Sequence, residues 1–288
     1  MKFGLRYCNT GPYVDPAPAL ELLQAAEEAG FDSAWTVEHT VVPAGYGSAY
    51  PYAQNGKMAG GVEDLPLPDP LIWMAYVAAG TSRIKLGTGI LILPQHSPVH
   101  VAKQVATLDH LSGGRTLLGI GVGWLAEEFA ALGQPFGTRG TRTDECVAAL
   151  RALWGAQPAS FQGEHVSFAP MYCVPRPVSG AVPIIVGGHS KAAARRAGRL
   201  GDGFFPAREA PHDLIRLARD TAEQNGRDPS ALEITVSMPE DRALLDDYAR
   251  MGIDRVLVPV SDMAGLATAI RTPEETRDWS GLISQYAG

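Results

Sequence analysis

The sequence predicts an α/β fold, a (β/α)8 TIM barrel with insertions after its second and fourth strands, on three observations. Eight short apolar runs, beginning near residues 3, 33, 84, 115, 183, 203, 232 and 253, alternate with segments of helical periodicity. Such alternation implies a parallel sheet, and eight units favour a closed barrel over an open doubly wound sheet. The 288 residues, 45% hydrophobic and 19% charged, have globular composition and the length that a barrel of about 250 residues with insertions needs. No linker separates two cores, so residues 1–288 are read as one domain.

In order, Phe3 to Tyr7 is a strand that Asn9-Thr10-Gly11-Pro12 ends. Ala17 to Ala29 carries apolar residues at helical spacing, with Gly30 as C-cap. Ser33 to Val37 is the second strand, followed at once by Glu38 and His39. Thr40 to Pro68 is a long polar insertion rich in Gly, Pro and Tyr, as lids and binding loops are. Asp69 caps and Pro70 opens a helix to Ala79. Ile84 to Leu93 is the third strand, in which Gly87 and Gly89 mark a bulge or a close backbone approach. Pro98 to Leu111 is a helix closed by Ser112-Gly113-Gly114. Arg115 to Gly121, a short apolar run, is the fourth strand, buried on both faces.

Trp124 opens a helix to Leu132, with Glu127 and Glu128 in its first turns, where acids suit the helix dipole. Arg142 to Trp154 is helical. Gln157 to Val182 is a second insertion containing a hairpin at Phe161 to Phe168. Pro183 to Val186 is the fifth strand, and Gly187-Gly188-His189-Ser190-Lys191 opens the next helix. Asp202 to Phe205, Leu232 to Met238 and Ile253 to Val258 complete the strands, with helices at His212–Asn225 and Glu240–Met251. The tail from Met263 to Tyr286 is helical with a break at Pro273.

Net charge is −7 without a charge run, which argues against nucleic-acid and membrane partners. Cys8, Cys146 and Cys173 form no Cys-x-x-Cys pair, so neither zinc nor a disulfide is expected and no metal site is assigned. A reduced cytoplasmic location is expected, since no secretory h-region opens the chain and no apolar run reaches about 18 residues.

Barrels of this kind work at the C-terminal ends of their strands. Standing there are Arg6, Tyr7, Cys8 and Asn9; Glu38 and His39; Gly89, Ile90, Gln95 and His96; Gly121 to Trp124; Gly187 to Ser190; Pro206 and Arg208; Met238-Pro239; and Pro259. His39 is placed to move a proton near neutral pH, or is a packed or solvent histidine. Gly187 to Ser190 can hold a phosphate on free N–H groups and the Ser190 hydroxyl, or is a glycine turn with Ser190 as helix cap. Trp124 is a pocket wall or core. No P-loop, nucleophile elbow, complete dinucleotide fingerprint or strand-end lysine is present, so hydrolase and aldolase chemistry lacks its groups. Few catalytic groups among many glycines and apolar surfaces suit a flat redox cofactor that carries the hard chemistry itself.

Trp35-Thr-Val-Glu-His39 with Val42-Pro43, Leu86-Gly-Thr-Gly-Ile-Leu-Ile-Leu-Pro94, Leu108-Asp-His-Leu-Ser-Gly-Gly-Arg115, Gly119-Ile-Gly-Val-Gly-Trp124 with Glu128-Phe129, and Gly187-Gly188 resemble the luciferase-like monooxygenase superfamily. They are most similar to its branch dependent on the deazaflavin coenzyme F420. Leu-Ser-Gly-Gly-Arg followed by Gly-x-Gly-x-Gly-Trp is specific to the superfamily, and the resemblance runs to about residue 206. It implies a tricyclic ring lying in the barrel mouth and a phosphate at the fifth-strand loop.

Position by position, the resemblance implies that His39 stands beside the ring. Gly89-Ile90 corresponds to a bulge that often carries a non-prolyl cis peptide, against the ring's back face. Val122, Gly123 and Glu127 correspond to fourth-strand cofactor contacts, and Gly187, Gly188 and Ser190 to the phosphate loop. Trp124 stands where sugar-phosphate dehydrogenases of the superfamily carry an acid, so an apolar or aromatic substrate face is expected instead. The implied activity is hydride transfer between reduced F420 and a small unsaturated or carbonyl substrate, with His39 supplying or orienting a proton, in a homodimer. An FMN-dependent monooxygenase keeps the fold and is the alternative. A non-catalytic flavin or deazaflavin binder is a further one, against which the aromatic Tyr46–Tyr52 insertion argues by leaving space for a second ligand.

Overall fold

A computed structural model describes residues 1–58, 61–206, 210–261 and 270–287. The strands are β1 (Lys2–Arg6), β2 (Ser33–Thr36), β3 (Lys85–Thr88), β4 (Leu91–Ile92), β5 (Thr116–Gly121), β6 (Ala159–Gln162), β7 (Ser167–Met171), β8 (Ile184–Gly187), β9 (Gly203–Phe205), β10 (Glu233–Ser237) and β11 (Arg255–Pro259). Neighbours run β3-β2-β1-β11-β10-β9-β8-β5, and β3 pairs with β5, so the parallel sheet closes into an eight-stranded barrel. The short β4 continues alongside β5. β6 and β7 form the antiparallel hairpin expected in the second insertion. The helices are α1 (Pro16–Ala29), α2 (Pro70–Ala78), α3 (Pro98–Ser112), α4 (Ala126–Ala131), α5 (Arg139–Trp154), α6 (Lys191–Leu200), α7 (His212–Gln224), α8 (Leu245–Arg250) and α9 (Ser280–Tyr286). Among the described residues no helix is long and apolar enough to cross a membrane.

The strands are buried because each has two apolar neighbours, the lumen and the helix layer. Phe3 and Leu5 of β1 face the helices, within the large core that α1, α2 and α3 cover. Trp35, Leu117, Ile185, Phe205 and Leu257 fill the lumen as a separate cluster. The indole of Trp35 is too broad for a barrel lined by side chains on every strand. A Cβ on Gly87 would stand 2.8 Å from that ring, and one on Gly119 would collide with the Thr88 carbonyl. Below Trp35 lies Arg255, whose side chain is fully buried and whose Cζ is 5.5 Å from the indole. Asp32 accepts from Arg255 Nη2 at 2.8 Å and from Nε at 3.0 Å, Thr235 accepts from Nη1 at 3.2 Å, and Glu233 completes the set. The base of the lumen is thereby sealed, and the C-terminal ends of the strands remain as its open face.

The caps behave as anticipated: Asp69 accepts from the Ile72 N–H at 2.9 Å, and Gly30 and Gly113 end their helices at φ 95° and 71°. Several boundaries differ. The third strand is interrupted at the Gly89–Ile90 peptide, which is cis, and a 3-10 turn at Leu93–Gln95 follows β4. The helix after β5 begins at Ala126 instead of Trp124, because Gly123 has φ +77° and Leu125 is extended. Arg139, not Arg142, opens α5. Asp241 accepts from the Ala243 N–H, so Arg242–Leu244 is a separate 3-10 turn before α8. Pro273 opens a 3-10 helix, Pro273–Trp279, rather than breaking an α-helix, since a proline ring is tolerated in a first turn. Residues 263–269 of the anticipated tail helix, and Arg208, lie outside the described residues.

Candidate active site

Two buried side-chain amide and carboxylate anchors hold the rim between β1 and β2. The Asn9 amide donates to the Val37 and Pro68 carbonyls at 2.8 and 3.2 Å and accepts from the Val37 N–H at 2.8 Å. The chain leaving β2 is therefore fixed where Glu38 and His39 emerge. Glu38, almost wholly buried, turns back to accept from the Ile92 N–H and pairs with His96 Nε2 at 2.9 Å. Burial alone would lower the His96 pKa, but the hydrogen bond and charge of Glu38 raise it.

His39 points the other way. Its Nδ1 lies 2.9 Å from Oε2 of Glu128, a fully buried carboxylate that also accepts from the Thr40 and Val41 N–H groups through Oε1, at 2.7 and 3.2 Å. Burial pushes the Glu128 carboxyl up. The hydrogen bond and charge of His39 outweigh it, aided by Gln95 and by the Val41 N–H, and the pKa falls below the usual range. Neither polar atom of the buried Gln95 amide has a hydrogen-bond partner among the described residues. An ionised Glu128 is acceptor only, so Nδ1 of His39 carries the hydrogen and the tautomer is set. Among the described residues Nε2 has no partner. It is the atom at which this histidine can take or give a proton.

Ile90 forms the floor. It is half-buried, and the cis peptide that precedes it sits in a corner lined by β2, β5 and β8. A Cβ on Gly121 would stand 2.5 Å from Ile90 Cδ1, and one on Gly187 would stand 2.5 Å from Ile90 Cγ2. These two glycines make room for Ile90. A Cβ on Gly89 would touch the Phe205 ring at 3.5 Å, so the floor continues onto the lumen cluster.

Trp124 forms a wall. It is half-buried, with its ring edge-on to His39 at 5.7 Å and 84°, and it meets Tyr46 and Tyr50 of the first insertion at 5.5 and 5.1 Å. Glu127, one residue before the buried acid, turns to the first insertion and accepts from the Gly47 and Ser48 N–H groups at 2.8 and 3.1 Å. These bonds, led by the Ser48 hydroxyl, hold its carboxyl down at about 2. Glu127 thus holds the insertion against α4. Val122 and Gly123 line the exit of β5. Gly123 is packed on Ile92 and Phe129, and its carbonyl accepts from Arg139 Nε at 3.3 Å.

At the fifth barrel strand, the Gly188 N–H donates to the Phe205 carbonyl at 3.1 Å, and Ser190 Oγ accepts from the Ala193 N–H at 3.1 Å as the N-cap of α6. The loop is a glycine turn with Ser190 as helix cap, and the Gly188 N–H is not free, so what remains for a phosphate is the start of α6 with the Ser190 hydroxyl. Cys8, beside β1, is not a nucleophile, because burial pushes its thiol up to about 12.

The structure therefore joins Gly89, Ile90, Gly121 and Gly187 in one floor, and His39 and Trp124 in one wall. It places Glu127 on the insertion and Ser190 on its own helix. Glu128 was read only as a helix-dipole acid. The signal for it was the adjacent pair Glu127-Glu128: residues one apart on a helix face directions about 100° apart, so one of them points inward.

The sequence profile of the luciferase-like monooxygenase family matches residues 4–283. An uncharacterized protein of Mycobacterium tuberculosis (strain ATCC 25618 / H37Rv) is 32% identical over 270 residues, 91% of this chain and 93% of that protein. A protein named F420-dependent glucose-6-phosphate dehydrogenase, from Gordonia bronchialis, is 31% identical over 261 residues, 85% of this chain and 71% of that one. Among solved structures, the coenzyme F420-dependent tetrahydromethanopterin reductase of Methanopyrus kandleri superposes with a TM-score of 0.73 at 16% identity, covering 97% of each chain. That likeness is one of fold.

Proposed function

The chain belongs to the luciferase-like monooxygenase family and is an oxidoreductase, and we propose that it transfers a hydride between the deazaflavin F420 and a small organic substrate in the barrel mouth. The observation that carries this reading is the His39–Glu128 pair, which presents one proton-exchanging nitrogen beside an aromatic wall. Relatives above 30% identity that are named F420-dependent support the choice of cofactor.

The residues present fit a flat ring with an anionic tail. Ile90 is half-exposed and rigidly backed by Gly121 and Gly187, so it offers an apolar platform. In this reading Gly89 and Ile90 lie under the ring, Val122 and Gly123 flank it, and Trp124 walls the substrate side. The Ser190-capped start of α6, beside Gly187 and Gly188, receives the phosphate. Glu127 contributes by fixing the insertion over the mouth. When bound, F420 supplies the hydride, chemistry that no side chain here provides.

The chain's own part is to position and to manage a proton. Glu128 holds the imidazole in one tautomer and one orientation, and His39 gives or takes the proton at Nε2. Trp124, Tyr46 and Tyr50 exclude water and favour an apolar or aromatic substrate over a sugar phosphate. The reading carries with it a single domain over 1–288, a homodimer and a cytoplasmic location.

Anaerobic turnover of reduced F420 against a panel of enones, ketones and aldehydes tests it. His39→Ala is expected to slow turnover by about 10²–10⁴-fold while F420 affinity stays within a few-fold. Turnover with reduced FMN and oxygen, and none with F420, would install the monooxygenase reading instead.

A further inference from the structure

Arg6 is a charged side chain of the mouth that the reaction above does not use. Its direction follows from its contacts. In barrel order β1 is followed by β11, β10 and β9, and neighbouring strands lie about 4.8 Å apart. Arg6 Nη1 nevertheless donates to Ser237 Oγ on β10 at 2.6 Å, and its Cζ lies 5.4 Å from the Phe205 ring on β9. A side chain that skips β11 to reach the next two strands crosses the lumen. Its alternation agrees: the Cβ position of Gly4, two residues earlier, is 2.7 Å from the lumen residue Leu257. A Cβ on Gly89 would in turn meet the Phe205 ring at 3.5 Å, so Arg6 and the cis corner share one chamber.

Arg6 is half-buried, and its guanidinium stacks 4.4 Å over the Tyr7 ring. Among the described residues no carboxylate pairs with it. Ser237 occupies Nη1, while Nε is shut off from solvent and has no partner. A buried donor left unpaired is costly. The end left to a ligand is Nη2 with the second hydrogen of Nη1, which can grip two oxygens of a carboxylate side by side.

We propose that Arg6 binds a carboxylate on the substrate, anchoring it across the mouth from His39. The substrate class is then an unsaturated or carbonyl compound with an apolar or aromatic body and a carboxylate. The assignment rests on the oxidoreductase reading for the word substrate, but its geometry does not require F420. A guanidinium fits carboxylate and phosphate alike; the single positive charge of Arg6 balances one carboxylate, and phosphate is an outcome of the test.

Calorimetric titration of the full chain without cofactor, using cinnamate and the uncharged cinnamamide, tests it. The wild type is expected to prefer cinnamate at least tenfold. Arg6→Gln is expected to bind acid and amide within twofold of each other and to keep its F420 affinity. A wild type with no preference, whether it binds both or neither, overturns the proposal and needs no variant. So does an Arg6→Gln protein that keeps the preference, or one that loses F420, since the guanidinium would then serve the cofactor's own acidic tail. Displacement of cinnamate by equimolar inorganic phosphate overturns the carboxylate in favour of a phosphate. Loss of F420 binding by the wild type with the cinnamate preference intact overturns the cofactor reading alone.

Discussion

Glu128 carries no contact with solvent, yet it stays ionised, because one histidine and two backbone N–H groups converge on it. A carboxylate so placed acts through His39. Glu128→Gln keeps an oxygen for the backbone donors but removes the charge that fixes the imidazole. It is expected to lower kcat by about 10-fold to 10³-fold with KM nearly unchanged, less than the loss of the general acid–base group itself, about 10²–10⁴-fold. A rise in KM alone would mark it as structural only, and Glu128→Asp should recover part of kcat. His39 was legible because it follows a strand and precedes a long loop. Its partner was not, because 89 residues separate the two and only the closed barrel brings them together. Arg6 was visible as a strand-end residue, but its freedom from a carboxylate is a fact of three-dimensional placement.

At the scale of elements, the glycines of the barrel strands are sockets for neighbouring groups. Gly119 admits the Thr88 carbonyl and the Trp35 ring, and the obstacle to a Cβ there is backbone. Gly119→Ala is expected to leave no folded protein, judged by circular dichroism. At Gly187 the obstacle is the Cγ2 methyl of Ile90, with the Ile120 carbonyl at 3.2 Å. Gly187→Ala should cost about 1–3 kcal/mol by overpacking, and Ile90→Ala in the same chain should return much of that. Additive costs in a double-mutant cycle would show that the two do not share space.

The first insertion also belongs here. Glu127→Ala, which frees the Gly47 and Ser48 N–H groups, is expected to speed proteolysis within residues 40–58 while the melting temperature hardly moves. Equal proteolysis would contradict the clamp. Strand–helix alternation was enough to place these elements, because period and punctuation are local. The split of the third strand and the delayed start of α4 depend on the Gly89–Ile90 corner and on Gly123, whose conformations are imposed by neighbours.

For the whole molecule, the barrel is held open at one end and sealed at the other by Arg255 with Asp32 and Glu233. Burial pushes both carboxyls up, but the charge of Arg255 outweighs it, and both sit below the usual range. A depressed folded pKa means stability that is present above the unfolded values, about 3.9 and 4.3, and lost as pH falls through the folded ones. The melting temperature should therefore drop steeply below about pH 4. Arg255→Met, which leaves two partly buried carboxylates without their cation, is expected to cost about 3–5 kcal/mol at pH 7 and to flatten that acid slope. An unchanged slope would contradict the account. Eight apolar runs made closure readable, yet nothing local in the chain indicates which arginine seals the base. In the proposed function the sealed barrel offers, at its other end, the Ile90 floor and the capped start of α6 to F420. Titrating the full chain with F420 and separately with FMN, by quenching of tryptophan fluorescence, tests it most directly: F420 should bind at micromolar concentration or tighter and FMN at least tenfold more weakly. Tighter binding of FMN, or binding of neither, would contradict it.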